Sequence, residues 1–301
     1  MGVTILELIV VTGNVAYIPG AVNIGVLRNG ERCAVIDTGL DRDSGRNIRK
    51  ALEAEWLKLE AIINTHSHAD HFGGNDYLTR TLKAKVYAPS IESGIIENPI
   101  LEPVYLFHGA TPIRNLRNKF VLAKPSPVDH IIEPGKLEII GLEVEIIPLP
   151  GHCFNQVGVL VDNVLFCADT VFSERVIDKY RIPVVQDVGS HLETLDKLKG
   201  MECIKFIPGH TKPVEDIRGL VAKNIATTRG IIDDIKALLD EPKTTERVMS
   251  ELCTSYGLDL TVVQQYYLIH MTIMAYLGYL YDEKLIDIEI EGNLLQWKFS
   301  P

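Results

Sequence analysis

Ten residues constrain this chain more than any others: Thr65-His66-Ser67-His68-Ala69-Asp70-His71-Phe72-Gly73-Gly74. Three histidines and an aspartate fall within six positions. Two histidines at i and i+2 project to the same side of extended backbone, and imidazole nitrogen is the commonest protein ligand for zinc. Asp70 and His71 follow at once and must aim elsewhere, which points to two metal ions rather than one. The run Ala61-Ile62-Ile63-Asn64 reads as a short buried strand, so the cluster lies on a loop leaving a strand. Gly73-Gly74 then permits close backbone approach to a ligand.

The remainder of the chain follows the same plan of strands that emit loops. Thr4–Val11, 21–27 and Arg32–Ile36 are β-branched runs parted by turn signals, and Asn29-Gly30 suits a two-residue hairpin. A helix is expected near 44–58 with Ser44 as its N-cap, then a helix over 75–82 and a strand over 85–88. Later strands are expected over 136–140, 143–148, 156–161, 163–168 and 203–207, with a helix near 191–199. Pro-Gly-His occurs twice, at His152 and His210, each time at a strand end, and Asp169 follows a strand directly. Two packed sheets with helices outside fit this order.

Residues 89–134 break the pattern. They are rich in Pro and Gly, poorly periodic, and long for a connection, which suits a lid or substrate wall as well as a packed subdomain. Their basic cluster, Arg114, Arg117 and Lys119, reads either as a grip on a small anionic substrate or as a solvated face.

The net charge of −10 argues against nucleic-acid and anionic-membrane partners. No stretch approaches the ~18 apolar residues of a membrane span, and the first residues lack a signal-peptide pattern. Five cysteines without a C-x-x-C suggest reduced thiols and a cytoplasmic location.

Taken together, Asp37-Thr38-Gly39, the His66–His71 string, Gly151-His152, Asp169 and Gly209-His210 resemble the metallo-β-lactamase-fold superfamily. The resemblance covers roughly residues 1–215 and implies an α+β protein with a four-layer αβ/βα sandwich. It further implies that His66, His68 and His152 bind a first metal and that Asp70, His71 and His210 bind a second. Asp169 would bridge them, and Asp37 would buttress the metal loop. The set is similar to that of glyoxalase II: two divalent ions, zinc foremost with iron or manganese acceptable. Metal-bound hydroxide would attack an ester, thioester or amide of a small molecule, and Asp70 would take the remaining proton. Those enzymes have Thr where this chain has Cys153, and Cys167 is expected to be packed rather than ligating. Persulfide dioxygenases share the histidine string but hold one iron through the equivalents of His66, His152 and Asp169. Nuclease branches act on RNA, and the overall acidity here weighs against them.

The last residues have their own pattern. A long helix over 214–240 ends before Pro242, helices follow with Thr245 as a cap and over 260–281, and strands 286–290 and 294–299 flank Gly292-Asn293. This order resembles a winged-helix domain. Residues 1–215 are thus expected to be catalytic, and 216–301 a mainly helical domain. With four basic and eight acidic residues from 243 onward, packing or a homodimer contact is expected there rather than DNA.

Overall fold

The computed structural model describes residues 7–300, so Thr4–Leu6 of the first expected strand lie outside the described residues. The chain packs as two compact units. Among the described residues one comprises 7–149, 155–170 and 201–217, and the other comprises 150–154, 171–200 and 218–300.

The first unit is built on two sheets. Strands β1 (Ile9–Val10), β2 (Val15–Ile18), β3 (Ile24–Asn29) and β4 (Arg32–Ile36) form an antiparallel meander. The β3–β4 hairpin closes on Gly30-Glu31, one residue later than expected, because Asn29 pairs with Arg32 and the positive φ of +61° falls on Gly30. After helix α1 (Arg42–Ala54) the sheet continues in parallel through β5 (Lys58–Ile63). Two helices follow, α2 (Ala69–Phe72) and α3 (Asn75–Leu82), the latter as expected. Then come β6 (Lys85–Pro89), helices α4 (Ser90–Glu97) and α5 (Leu101–Leu106), and β7 (His130–Ile132).

The second sheet runs β12-β11-β10-β9-β8. Its strands are β8 (Gly135–Ile139), β9 (Leu142–Pro148), β10 (Val157–Val161), β11 (Val164–Ala168) and β12 (Lys205–Pro208). The β10–β11 hairpin turns at Asp162-Asn163, both left-handed at φ +49° and +60°, as its Asp-Asn pair predicts.

Alternation explains the layering. Val15, Leu27, Ala34, Ile36, Ala61 and Ile63 from the first sheet meet Val144, Ile146, Val157, Val159 and Phe166 from the second in one apolar layer. The opposite face of the first sheet, including Val26, Val35, Ile62 and Val86, packs against Ile48 and Leu52 of α1 and Tyr77 and Leu78 of α3. Asp41, not Ser44, caps α1, because its extended backbone lets Oδ1 accept from the Asp43 and Ser44 amides.

The second unit holds helices α6 (Glu174–Tyr180), α7 (Val188–Lys199), α8 (Arg218–Leu238), α9 (Thr245–Ser255) and α10 (Val263–Asp282). They are followed by the hairpin β13 (Ile286–Glu291) and β14 (Leu294–Phe299). Thr244 rather than Thr245 caps α9, since its hydroxyl reaches the Arg247 amide. Its core joins Val188, Ile231, Ile235, Leu252, Ile273, Leu277 and Trp297. Among the described residues no helix is long and apolar enough to cross a membrane.

Candidate metal centre

Donors gather where strands of the first unit end. The loop after β5 brings the His66 and His68 rings within 4.9 Å of one another, centroid to centroid, and His66 and His71 within 4.0 Å. Asp169 leaves β11 at a register shift in the β11–β12 pairing, and the preceding Ala168 takes a left-handed φ of +45°. A bulge of this kind redirects a side chain, and here it sends Asp169 toward the histidines. His210 follows β12.

The first unit brings together six of the seven expected donors. Asp169 Oδ1 lies 3.4 Å from His71 Nε2, and its Oδ2 lies 3.1 Å from His210 Nε2. His210 Nε2 is also 3.3 Å from Asp70 Oδ2 and 3.4 Å from His71 Nε2. The ligating atoms of Asp70, His71 and His210 form one close set, and those of His66, His71 and Asp169 another. The expected second-metal group is therefore present as a set, with Asp169 directed at two of its members.

What holds these rings is as informative as where they point. His71 Nδ1–H donates to Asp37 Oδ2 at 2.8 Å, and His210 Nδ1–H donates to the Ala21 carbonyl at 2.7 Å. Asp37 Oδ1 accepts from the Thr65 amide (2.9 Å) and Oδ2 accepts from the Thr65 hydroxyl (2.8 Å). Having spent its proton there, Thr65 Oγ1 is left to accept from His66 Nδ1, 3.0 Å away. Each ring is thus fixed through Nδ1, which leaves Nε2 as the donor atom. Asp37 thus braces this loop through Thr65 and His71, from a left-handed backbone at φ +62°.

In the second unit, His152 is buried and shows the same device: Nδ1–H donates to the Val184 carbonyl at 2.8 Å. Its turn depends on Gly151, at φ +129°, where a Cβ would come within 2.5 Å of His191 Cα.

The charges reinforce one another. Burial disfavours the His71 cation, but Asp169 and Asp37 push its pKa up to about 10. Asp169 chiefly, with Asp70, raises that of His210 to about 12 against the effect of burial. Burial opposes ionisation of Asp70 and Asp169 as well, yet His210 and His71 hold both carboxylates below the usual range. Protons on His71 and His210 do in the metal-free chain what a divalent cation would do. Nitrogen and carboxylate donors converging in this way suit such an ion. Gly209 adds a cradle around them: a Cβ there would lie 2.2 Å from Asp169 Oδ1 and 3.1 Å from His71 Cε1.

Several expectations need correction. Gly73 and Gly74 admit neighbouring backbone rather than a ligand, since a Cβ on Gly73 would meet Leu40 O at 1.9 Å and one on Gly74 would meet Thr38 O at 2.4 Å. The basic cluster is not wholly open, because Lys119 pairs with Asp41 at 3.0 Å. Cys167, by contrast, is packed as expected: it is buried, with its thiol pKa pushed up by burial, and stands outside the donor sets. Two buried acids went unread in the sequence, Glu92 on α4 and Glu102 on α5. No motif or spacing marks either one.

Two stacked sheets, helices on an outer face and a histidine–aspartate centre at the strand ends define a metal-site protein of the α+β class. The family follows from the sequence match: the chain belongs to the metallo-beta-lactamase superfamily, whose model matches residues 17–210. A hydroxyacylglutathione hydrolase of Vibrio campbellii is 30% identical over 151 residues, covering 50% of this chain and 47% of that protein. Lactamase-like protein adaB of Aspergillus niger is 24% identical over 226 residues, covering 73% of this chain and 59% of that protein. The chain thus spans about half the length of the curated relatives it matches. Among solved structures, a metallo-beta-lactamase family protein from Thermus thermophilus superposes with a TM-score of 0.73 at 20% identity, covering 92% of this chain and 93% of its own. A beta-lactamase domain protein from Burkholderia ambifaria gives 0.76 at 16% identity, covering 97% and 93%. These two likenesses show the fold.

Proposed function

We propose that this protein is a metal-dependent hydrolase with a dinuclear centre, acting on an ester, thioester or amide of a small molecule. The observation that carries the reading is the convergence of His71 and His210 on Asp169 and of Asp70 on His210, with both histidines tied back through Nδ1. On this reading His66, His68 and His152 hold one divalent ion, Asp70, His71 and His210 hold the other, and Asp169 serves both. Zinc suits these donors best, and iron or manganese is acceptable.

When bound, such ions supply Lewis acidity and bring the pKa of a coordinated water to about 7. The side chains do the rest. Asp70 remains a carboxylate beside His210 and His71, and we assign it as the proton acceptor. Asp37 and Thr65 keep His71 and His66 in the tautomer whose Nε2 can ligate. The name hydroxyacylglutathione hydrolase, carried by the Vibrio relative, supports an acyl conjugate of a thiol as the substrate class. Catalysis is assigned to residues 1–215, and packing or homodimer formation to 216–301. The exposed Ile290, Leu294, Leu295 and Phe299 of the β13–β14 hairpin support the latter.

Metal analysis tests the reading. Protein purified without added metal is expected to carry close to two zinc, or mixed zinc and iron, per chain and to turn over members of a thioester and ester panel. His68→Ala is expected to abolish that turnover. One iron per chain with oxygen uptake on adding glutathione persulfide, or hydrolysis that survives His68→Ala, refutes it.

A further inference from the structure

The first turn of α4 reaches back to the loop that carries His66 and His68. Glu92 on that turn is 2% exposed. Its Oε2 accepts from the Ser67 amide at 3.0 Å and from the Ser67 hydroxyl at 2.5 Å. Its Oε1 accepts from the Asn155 amide at 3.1 Å. Asn155 returns the tie: its Oδ1 accepts from the Ile91 amide at 3.3 Å and lies 3.0 Å from Ser90 Oγ.

The positions of these partners matter. Ser67 stands between His66 and His68, whose rings lie side by side. Asn155 follows His152 by three residues. One buried carboxylate therefore holds the residue between two of the donors assigned to the first metal and ties it to Asn155. All three donors to Glu92 belong to loops without ladder bonds to keep them in place. The loop is tied at Thr65, to Asp37 and the Val157 amide, and at His68, whose carbonyl accepts from the His71 amide; the paired bonds to the Ser67 amide and hydroxyl add a hold between the two rings.

We propose that Glu92 is a positioning residue for the metal centre: its bonds to Ser67, braced by its tie to Asn155, set the aim of His66 and His68. The inference rests on the dinuclear reading above. It also gives the segment between β6 and β7 a second task, since the segment that was expected to wall the substrate delivers a brace to the metal loop.

The test uses the full chain, stripped with a chelator and titrated with cobalt(II). Affinity is read by competition with a chromophoric chelator, bound cobalt by its visible spectrum, and stability by the Tm of the metal-free protein. In Glu92→Gln the amide cannot accept on both sides, so the affinity of one cobalt equivalent is expected to fall ~10–100-fold with an altered spectrum, the other equivalent being unchanged. Ser67→Ala, which removes the hydroxyl bond alone, is expected to give a smaller loss in the same direction and serves if Glu92→Gln does not fold. Wild-type affinity and spectrum in both variants, with a lowered Tm alone, would make Glu92 a merely structural residue and overturn the inference while leaving the dinuclear reading intact. A wild-type chain that takes up no cobalt overturns that reading and the inference with it.

Discussion

Replacing Asp37 by asparagine tests the tautomer relay with almost no change in shape. The Thr65 amide can only donate, so the carbonyl oxygen of the introduced carboxamide must take the place of Oδ1, 2.9 Å from that nitrogen. The side-chain NH2 then occupies the Oδ2 position and points hydrogens at Thr65 Oγ1 and His71 Nδ1, both 2.8 Å away. Thr65 Oγ1 can accept. His71 Nδ1 can accept only if its proton moves to Nε2, the atom 3.4 Å from Asp169 Oδ1. The freed Thr65 proton can turn toward His66 Nδ1 and drive the same switch there. A ring protonated at Nε2 cannot ligate through that atom, so metal affinity is expected to fall about 10–100-fold, or ~1.4–2.8 kcal/mol. Folding should suffer less than in Asp37→Ala, which strands three buried donors at about 1–3 kcal/mol each. Competition titration gives the affinities, and 15N shifts of the histidine rings report the tautomer. Wild-type affinity in Asp37→Asn together with an unchanged His71 tautomer would refute the reasoning.

Gly209→Ala should abolish or displace metal binding, because its Cβ would overlap Asp169 Oδ1; elemental analysis of the purified variant checks this. Glu102, 3% exposed, has its pKa raised well above the ordinary carboxyl value by burial and by the charges of Asp70 and Glu92. The folded metal-free chain therefore holds this proton more tightly than the unfolded chain. The resulting cost to stability is absent below about pH 4.5 and grows as pH rises toward the folded value, so Glu102→Gln should raise Tm at neutral pH and leave it unchanged near pH 4. His71 and His210 give stability the same downward slope with pH in the metal-free chain, over a higher range. Their raised values contribute stability that is full below about pH 6.5 and lost as pH rises through about 10 and 12, which thermal melts of chelator-treated protein would show. The same protons must leave when metal binds, so calorimetry in buffers of different ionisation enthalpy should record proton release near pH 7.

Much of this was legible in the sequence. The α3 helix over 75–82 and the left-handed Asp162-Asn163 turn follow from local chemistry that tertiary packing did not override. So does the placing of His66, His68, Asp169 and His210 at strand ends, because each follows a β-branched run directly or after a short turn. The cap of α1 was misassigned because Asp41, Asp43 and Ser44 are all competent caps and only the extended backbone at Asp41 decides among them. Helices α4 and α5 were hidden for a different reason. Each buries a glutamate, Glu92 or Glu102, on the face where an apolar residue would have announced the helix. A carboxyl group that works inside a protein resembles surface in one dimension.

The Asp70–His71–His210 set is drawn from both sheets, with Asp70 and His71 following β5 and His210 following β12. No stretch of local sequence can assemble it. During synthesis the histidine string emerges early and waits while some 140 further residues are made, and the second donor set cannot close until the apolar layer between the sheets has formed. On the dinuclear reading proposed above, capture of the second ion would report that the sandwich is complete, and depriving the cell of that ion would remove the final latch from a chain that is otherwise folded. At a free ion concentration a hundred times its dissociation constant, that latch contributes about 2.7 kcal/mol.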